Sequence, residues 1–216
     1  MPKIRELIFD TDPYAGLDIT AYEPDIHGWH SDDPIFKSLI MEVQPHRLLE
    51  IGSWKGASAL HMASILLQLG LTDAELCCVD TWLGSLEFWL MRDIPVFYRA
   101  LAHKNGYPSI YYTFLRNVVS ANFTEYITPF PITSSIAARF FNHFGLKFDL
   151  IYIDGSHDFE DVISDIKNYW PLLSATGVLF GDDYGADEVR RAVIETSQEF
   201  GVVPEIVGEK WVFRKS

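Results

Sequence analysis

Cysteine is almost missing from this chain: Cys77 and Cys78 are the only two among 216 residues. Adjacent residues of a strand point to opposite faces, so a bond between them would be strained, and a disulfide-stapled secreted scaffold is excluded. A cytoplasmic, reducing compartment is the expectation. Long apolar runs are lacking as well. The longest, near residues 62–71, is broken by Gln68 and Gly70 and is too short to span a bilayer. Residues 1–10 alternate charged and apolar groups without the apolar core of a secretory signal. Basic side chains are scarce, 17 against 30 acidic, for a formal charge of −13. Such a surface repels a phosphate backbone or an anionic membrane, so neither nucleic acid nor membrane is an expected partner, and a small or neutral ligand is.

What is present is an alternation. With 48% apolar residues the chain can bury one three-layer domain. From His46 onward, short apolar runs alternate with helix-like segments, the pattern of a parallel α/β sheet. Strands are expected over 47–51, 75–80, 126–132, 148–154 and 177–182. The intervening helices include 57–69, 160–172 and 186–200, with two more flanking the third strand. The tail departs from this pattern, because 203–207 and 210–213 are separated only by Gly208 and Glu209. So short a link makes an antiparallel hairpin. Residues 1–45 are aromatic, acidic and proline-bearing, and read as a cap over a site carried by 46–216; their aromatic rings would also permit contact between two copies of the chain.

The first strand runs into Glu50-Ile51-Gly52-Ser53-Trp54-Lys55-Gly56-Ala57-Ser58, at the strand-to-helix turn where open α/β sheets bind ligands. A dinucleotide fingerprint needs a middle glycine where Trp54 stands. A phosphate loop needs lysine and a hydroxyl residue after its last glycine, yet Lys55 precedes Gly56 and Ala57 follows it. Both NAD and ATP are thereby disfavoured, and Lys55 is expected to be solvated. What remains, Glu50-x-Gly52-x-x-x-Gly56, resembles motif I of class I methyltransferases. Asp80 closes the second strand, where an acidic side chain can accept the hydroxyls of an adenosine ribose or cap a turn.

The strand ending in Asp154 continues as Gly155-Ser156-His157-Asp158, and the next ends in Gly181-Asp182-Asp183-Tyr184. Neighbouring strands would bring Asp154, Asp182 and Asp183 together, a convergence that needs protons, basic groups or a cation to compensate it. Hard oxygen donors in that number suit magnesium, and Asp182 or Asp183 capping a helix is the plainer alternative.

Taken with Asp80-Thr81-Trp82, these segments resemble small class I methyltransferases that include macrolide and aminocoumarin sugar O-methyltransferases and the cephalosporin-pathway methyltransferase subunit, over roughly residues 28–184. The resemblance implies a Rossmann-like, mostly parallel seven-stranded sheet with helices on both faces and S-adenosylmethionine as cofactor. It also implies that Asp154, Asp182 and Asp183 hold magnesium and orient the acceptor hydroxyl. The cofactor set it implies is Glu50, Gly52, Ser53, Trp54, Gly56, Ser58, Asp80, Thr81, Trp82, Ser134, Ser135 and Asp154. The sugar methyltransferases carry a carboxylate base two residues after the first ligand, where this chain has Ser156. Next to it, His157 titrates near neutrality and becomes the candidate base, with Asp154 beside it as the second catalytic candidate; a structural hydrogen bond or a cofactor contact is the alternative for His157.

Thr133, Ser134 and Ser135 would contact the adenine or cap a helix. Trp82, Phe88 and Trp89 would wall an acceptor pocket or close the core. Tyr22, Trp29 and His30 would shut out water. Glu160, Asp161, Asp165, Asp187 and Glu188 read as solvated helix starts. A metal-free N- or O-methyltransferase and a non-catalytic adenosyl-binding subunit are the alternative functions.

Overall fold

The computed structural model describes residues 3–215. Seven strands form one sheet: β1 (Arg47–Ile51), β2 (Glu75–Asp80), β3 (Ile127–Pro131), β4 (Phe148–Ile153), β5 (Leu173–Gly181), β6 (Glu205–Val207) and β7 (Lys210–Arg214). Their order is β3-β2-β1-β4-β5-β7-β6. The first five strands run parallel, and β7 lies antiparallel to both β5 and β6. The central strands are buried along nearly their whole length because helices cover both faces. Period-two alternation then sends successive residues into different layers. Leu48, Cys78, Tyr152 and Phe180 pack on the side of α2 (Pro34–Val43), α3 (Ala57–Gln68) and α5 (Ile110–Ser120), with the short α4 (Leu86–Leu90) in the segment between β2 and α5. Leu49, Cys77, Ile151 and Leu179 pack on the side of α6 (Ser134–His143), α7 (Phe159–Tyr169) and α8 (Asp187–Phe200). Cys77 and Cys78, on opposite faces, are free thiols.

Several boundaries move for local reasons. The helix expected over 160–172 ends at Tyr169, and a 3₁₀ turn carries the chain through Pro171. Strand β5 begins at Leu173, four residues earlier than expected, and its register against β4 shifts between Phe148 and Leu150. Strand β6 starts only at Glu205, after Pro204. β3 accommodates Pro129 and Pro131 because it is the sheet edge, where a missing ladder donor is tolerated.

Residues 3–45 do more than cover a site. In α1 (Ile4–Ile8), Ile4 is buried and Arg5 bonds the carbonyls of Thr124 and Ile127. Helix α2 starts at an Asp33 cap with Pro34 at its first position, and buries Phe36 against Tyr152 and Phe180. Only residues 27–31 of this stretch reach the cleft described below.

Register is what builds the site. Ile51 pairs with both Val79 and Ile153, and Ile153 pairs with Gly181. Gly52, Asp80, Asp154 and Asp182 therefore leave the sheet in one level row at its carboxyl edge, where such folds bind ligands.

Candidate active site

A cleft of about 720 Å³ opens over that row, within the size range of small-molecule sites. Its first wall is the turn after β1. Gly52 has φ +83°, and a Cβ there would lie 2.0 Å from the Asp154 carbonyl oxygen, so only glycine lets β1 and β4 end side by side. Trp54 also takes left-handed backbone, at φ +47°. Asp80 holds this turn: one carboxylate oxygen accepts the amides of Ser53 (2.9 Å) and Trp54 (2.8 Å), and the other accepts the amide of Trp82 (2.7 Å). One oxygen is thus taken by two amides, and the other keeps one acceptor position open beside its bond to Trp82.

Gly52, Ser53, Trp54, Ser58, Asp80, Thr81, Ser134, Ser135 and Asp154 all line the cleft. Glu50, Gly56 and Trp82 do not line it. Glu50 is fully buried behind the turn and accepts a 2.5 Å bond from Ser58 Oγ; burial raises its pKa. Gly56 faces the ring of Phe114. Trp82 is buried beside Phe114, and its indole donates to the Trp54 carbonyl at 2.7 Å. These three residues shape the turn from below. Lys55, expected in solvent, is buried with Nζ 2.5 Å from Asp25, and Asn117 bonds the carbonyls of Asp25 and Lys55 at 2.8 and 2.9 Å. This ties the N-terminal stretch to the glycine turn.

On the side of α6, Ser134 Oγ donates to Asp165, whose burial pushes its carboxyl up to about 6. Asp165 is therefore a cleft residue and not a solvated helix start. It sits on the buried stripe of α7 with Val162 and Tyr169 at helical spacing, a signal visible as an acid inside an apolar face. Thr133 stands at the N-cap of α6 without a side-chain capping bond. The upper wall is aromatic: Trp29, Trp54, Phe88 and Phe97 pack with centroids 4.4–6.4 Å apart. Tyr22 instead stacks on Tyr112, 5.2 Å away, and Trp89 bonds the Leu83 carbonyl; neither lines the cleft.

The acidic corner lies at the ends of β4 and β5. His157 Nε2 is 2.8 Å from Asp183 Oδ2. That bond raises the imidazole to about 9, and holds Asp183 below the usual carboxylate range. Asp154 accepts the Tyr152 hydroxyl at 2.9 Å; burial, reinforced by Asp182, pushes it up to about 7, with Lys210 opposing. Asp182 does not cap α8, whose N-cap is Ala186, and neither does Asp183. Asp182 Oδ2 receives Lys210 Nζ at 2.5 Å and has His30 Nδ1 at 3.5 Å, while its other oxygen accepts the Asp183 amide at 2.8 Å. Gly181 pairs with Trp211, so one step further along both strands Lys210 stands opposite Asp182. Lys210 is fully buried and also donates to the Tyr152 hydroxyl at 2.9 Å. No sequence motif marked it, because its role appears only once the hairpin register is known.

These contacts bear on magnesium. The groups whose ligand atoms converge within 4.8 Å are His30–Asp182–Asp183 and Asp154–His157–Asp183, not the three aspartates expected. A magnesium ion on Asp182 Oδ2 would lie no farther than about 4.6 Å from the ammonium, one N–O plus one Mg–O distance. At an effective dielectric of about 20 the repulsion is several kcal/mol. Asp183 is meanwhile engaged by His157. The donor set as it stands does not fit the ion.

Residues 49–184, more than half the chain, match the methyltransferase-domain family. The chain belongs to that family. Solved methyltransferase structures share the fold. The O-methyltransferase NovP superposes with a TM-score of 0.61 at 17% identity, over 84% of this chain and 78% of its own. The Bacillus cereus O-methyltransferase in complex with SAH gives 0.60 at 12% identity, over 100% and 93%. TomG of Streptomyces achromogenes, an O-methyltransferase of tomaymycin synthesis in complex with SAM, gives 0.57 at 13%, over 94% and 88%. In sequence, an uncharacterized protein, y4gI, of Sinorhizobium fredii (strain NBRC 101917 / NGR234) is 24% identical over 155 residues. That match covers 72% of this chain and only 15% of the relative's own length.

Proposed function

We propose that this methyltransferase moves the methyl group of S-adenosylmethionine to a hydroxyl oxygen of a small-molecule acceptor. One observation carries the choice of cofactor. Among the described residues the cleft is lined by seven carboxylates, Asp80, Glu87, Asp154, Asp161, Asp165, Asp182 and Asp183, and by no lysine or arginine. A pyrophosphate would meet seven carboxylates and no lysine or arginine there, whereas a ligand carrying a sulfonium and an amino group suits acidic walls. When bound, S-adenosylmethionine supplies the electrophilic methyl group, and the protein's task is orientation and proton removal.

Gly52, Ser53 and Trp54 let the backbone pass close to the cofactor, Asp80 keeps that turn closed, and Ser134 with Asp165 presents a polar edge on the α6 side. Trp29, Phe88 and Phe97 exclude water and offer flat apolar contact to an acceptor. His157 is the base: its ring borders the cleft, and Asp183 orients it and stabilises the imidazolium formed when it takes the acceptor's proton. The acidic corner is paired with Lys210 and His157, so its charge is compensated without magnesium.

Calorimetric titration with S-adenosylhomocysteine and with NADH, each with and without EDTA, tests the reading. Micromolar binding of the first alone is expected, and absence of S-adenosylhomocysteine binding refutes it.

A further inference from the structure

We propose that Lys210 is the resident cation of the acidic corner, compensating its carboxylates from behind the cleft, and that it makes this site metal-independent. The inference rests on the methyltransferase reading for the meaning of the site, but its geometry stands separately. Converging carboxylates need compensation. Here it comes from the chain itself: Lys210 Nζ touches Asp182 Oδ2 at 2.5 Å and the Tyr152 hydroxyl at 2.9 Å, and Tyr152 in turn donates to Asp154 at 2.9 Å. One ammonium thus fixes both strand-end aspartates, one directly and one through the tyrosine.

The position is built for a cation. Lys210 is fully buried, and its charge lies over the faces of Phe36 and Tyr152, 5.2 and 5.0 Å from the ring centres. Removing one partner of such a pair leaves a buried charge unpaired. A hard divalent ion is the natural replacement for a missing ammonium among oxygen donors. Lys210 is a positioning residue, since it lines no part of the cleft and acts through Asp182, Tyr152 and Asp154.

The test is Mn²⁺ titration followed by electron paramagnetic resonance, on the wild-type protein and on Lys210→Met, Lys210→Gln and Lys210→Arg. S-Adenosylhomocysteine binding is measured on the same samples. Wild type and Lys210→Arg are expected to hold no Mn²⁺ with Kd below about 100 μM, while Lys210→Met or Lys210→Gln gains affinity by about tenfold or more. Adding Asp182→Asn to the gaining variant should abolish the gain. The glutamine variant serves if methionine prevents folding, and the wild-type measurement needs no variant. A wild-type Mn²⁺ site tighter than about 100 μM that Asp183→Asn removes overturns the proposal, as does a folded Lys210→Met or Lys210→Gln that binds Mn²⁺ no better than wild type. Loss of S-adenosylhomocysteine binding by the wild type would instead strike the cofactor assignment, leaving the metal result to be read separately.

Discussion

His157 carries the most testable chemistry at the residue scale. Its partner Asp183 raises it to about 9, so the base form is the minority species at neutral pH. The expected kcat/KM therefore rises with pH along a limb whose midpoint lies near 9, and a rate flat from pH 6 to 10 would remove His157 from the role. Histidine-to-alanine substitution should lower kcat by roughly 10²–10⁴ and leave S-adenosylhomocysteine affinity unchanged. The same pair stabilises the fold: a histidine whose folded pKa exceeds its unfolded value adds stability fully below about 6.5, and loses it as pH climbs towards 9. Glu50 shifts stability in the same direction with pH, but as a cost. Burial raises its pKa above 4.5, so its ionised form is a cost in the folded state that grows as pH rises through and beyond that value. Glu50→Gln should raise Tm at pH 7–8, with the gain vanishing towards pH 4.5; differential scanning calorimetry across that range checks it.

Elements explain which parts of the site could be read in advance. The glycine turn, Asp80 and the acids after β4 and β5 were legible, because buried strands end where apolar runs end, and a parallel order sets those ends together. Asp165 was legible in principle as an acid within the apolar stripe of α7. Lys55 and Lys210 were not, since each lysine is buried by a partner far away in sequence, Asp25 and Asp182, supplied by tertiary contacts. Trp82 could wall the pocket or close the core, because an aromatic beside a binding motif fits both; its burial and its bond to the Trp54 carbonyl select the second. The turn after β1 has the least tolerance. Gly52→Ala would force a Cβ against the Asp154 carbonyl and strain a φ of +83°. It should cost at least about 2 kcal/mol in urea unfolding and abolish cofactor binding; a variant with unchanged midpoint and affinity would contradict the close approach.

Across the whole molecule, charge is lopsided in the same direction as the cleft. At −13 the folded chain repels itself, and screening relieves that repulsion. Tm should rise modestly between about 0.05 and 0.5 M NaCl at pH 8. A fall over that range would mean that local ion pairs such as Lys55–Asp25 outweigh the global repulsion.

The level row of strand ends also implies an order in time. β1 and β2, which carry the glycine turn and Asp80, leave the ribosome before β7, whose Lys210 reaches Asp182 only when the antiparallel hairpin docks beside β5. Synthesis proceeds from the N-terminus, so the cofactor half can take shape while the acidic corner still lacks its counter-charge. In refolding, recovery of secondary structure should precede recovery of turnover, with the interval reporting the docking of the last strand.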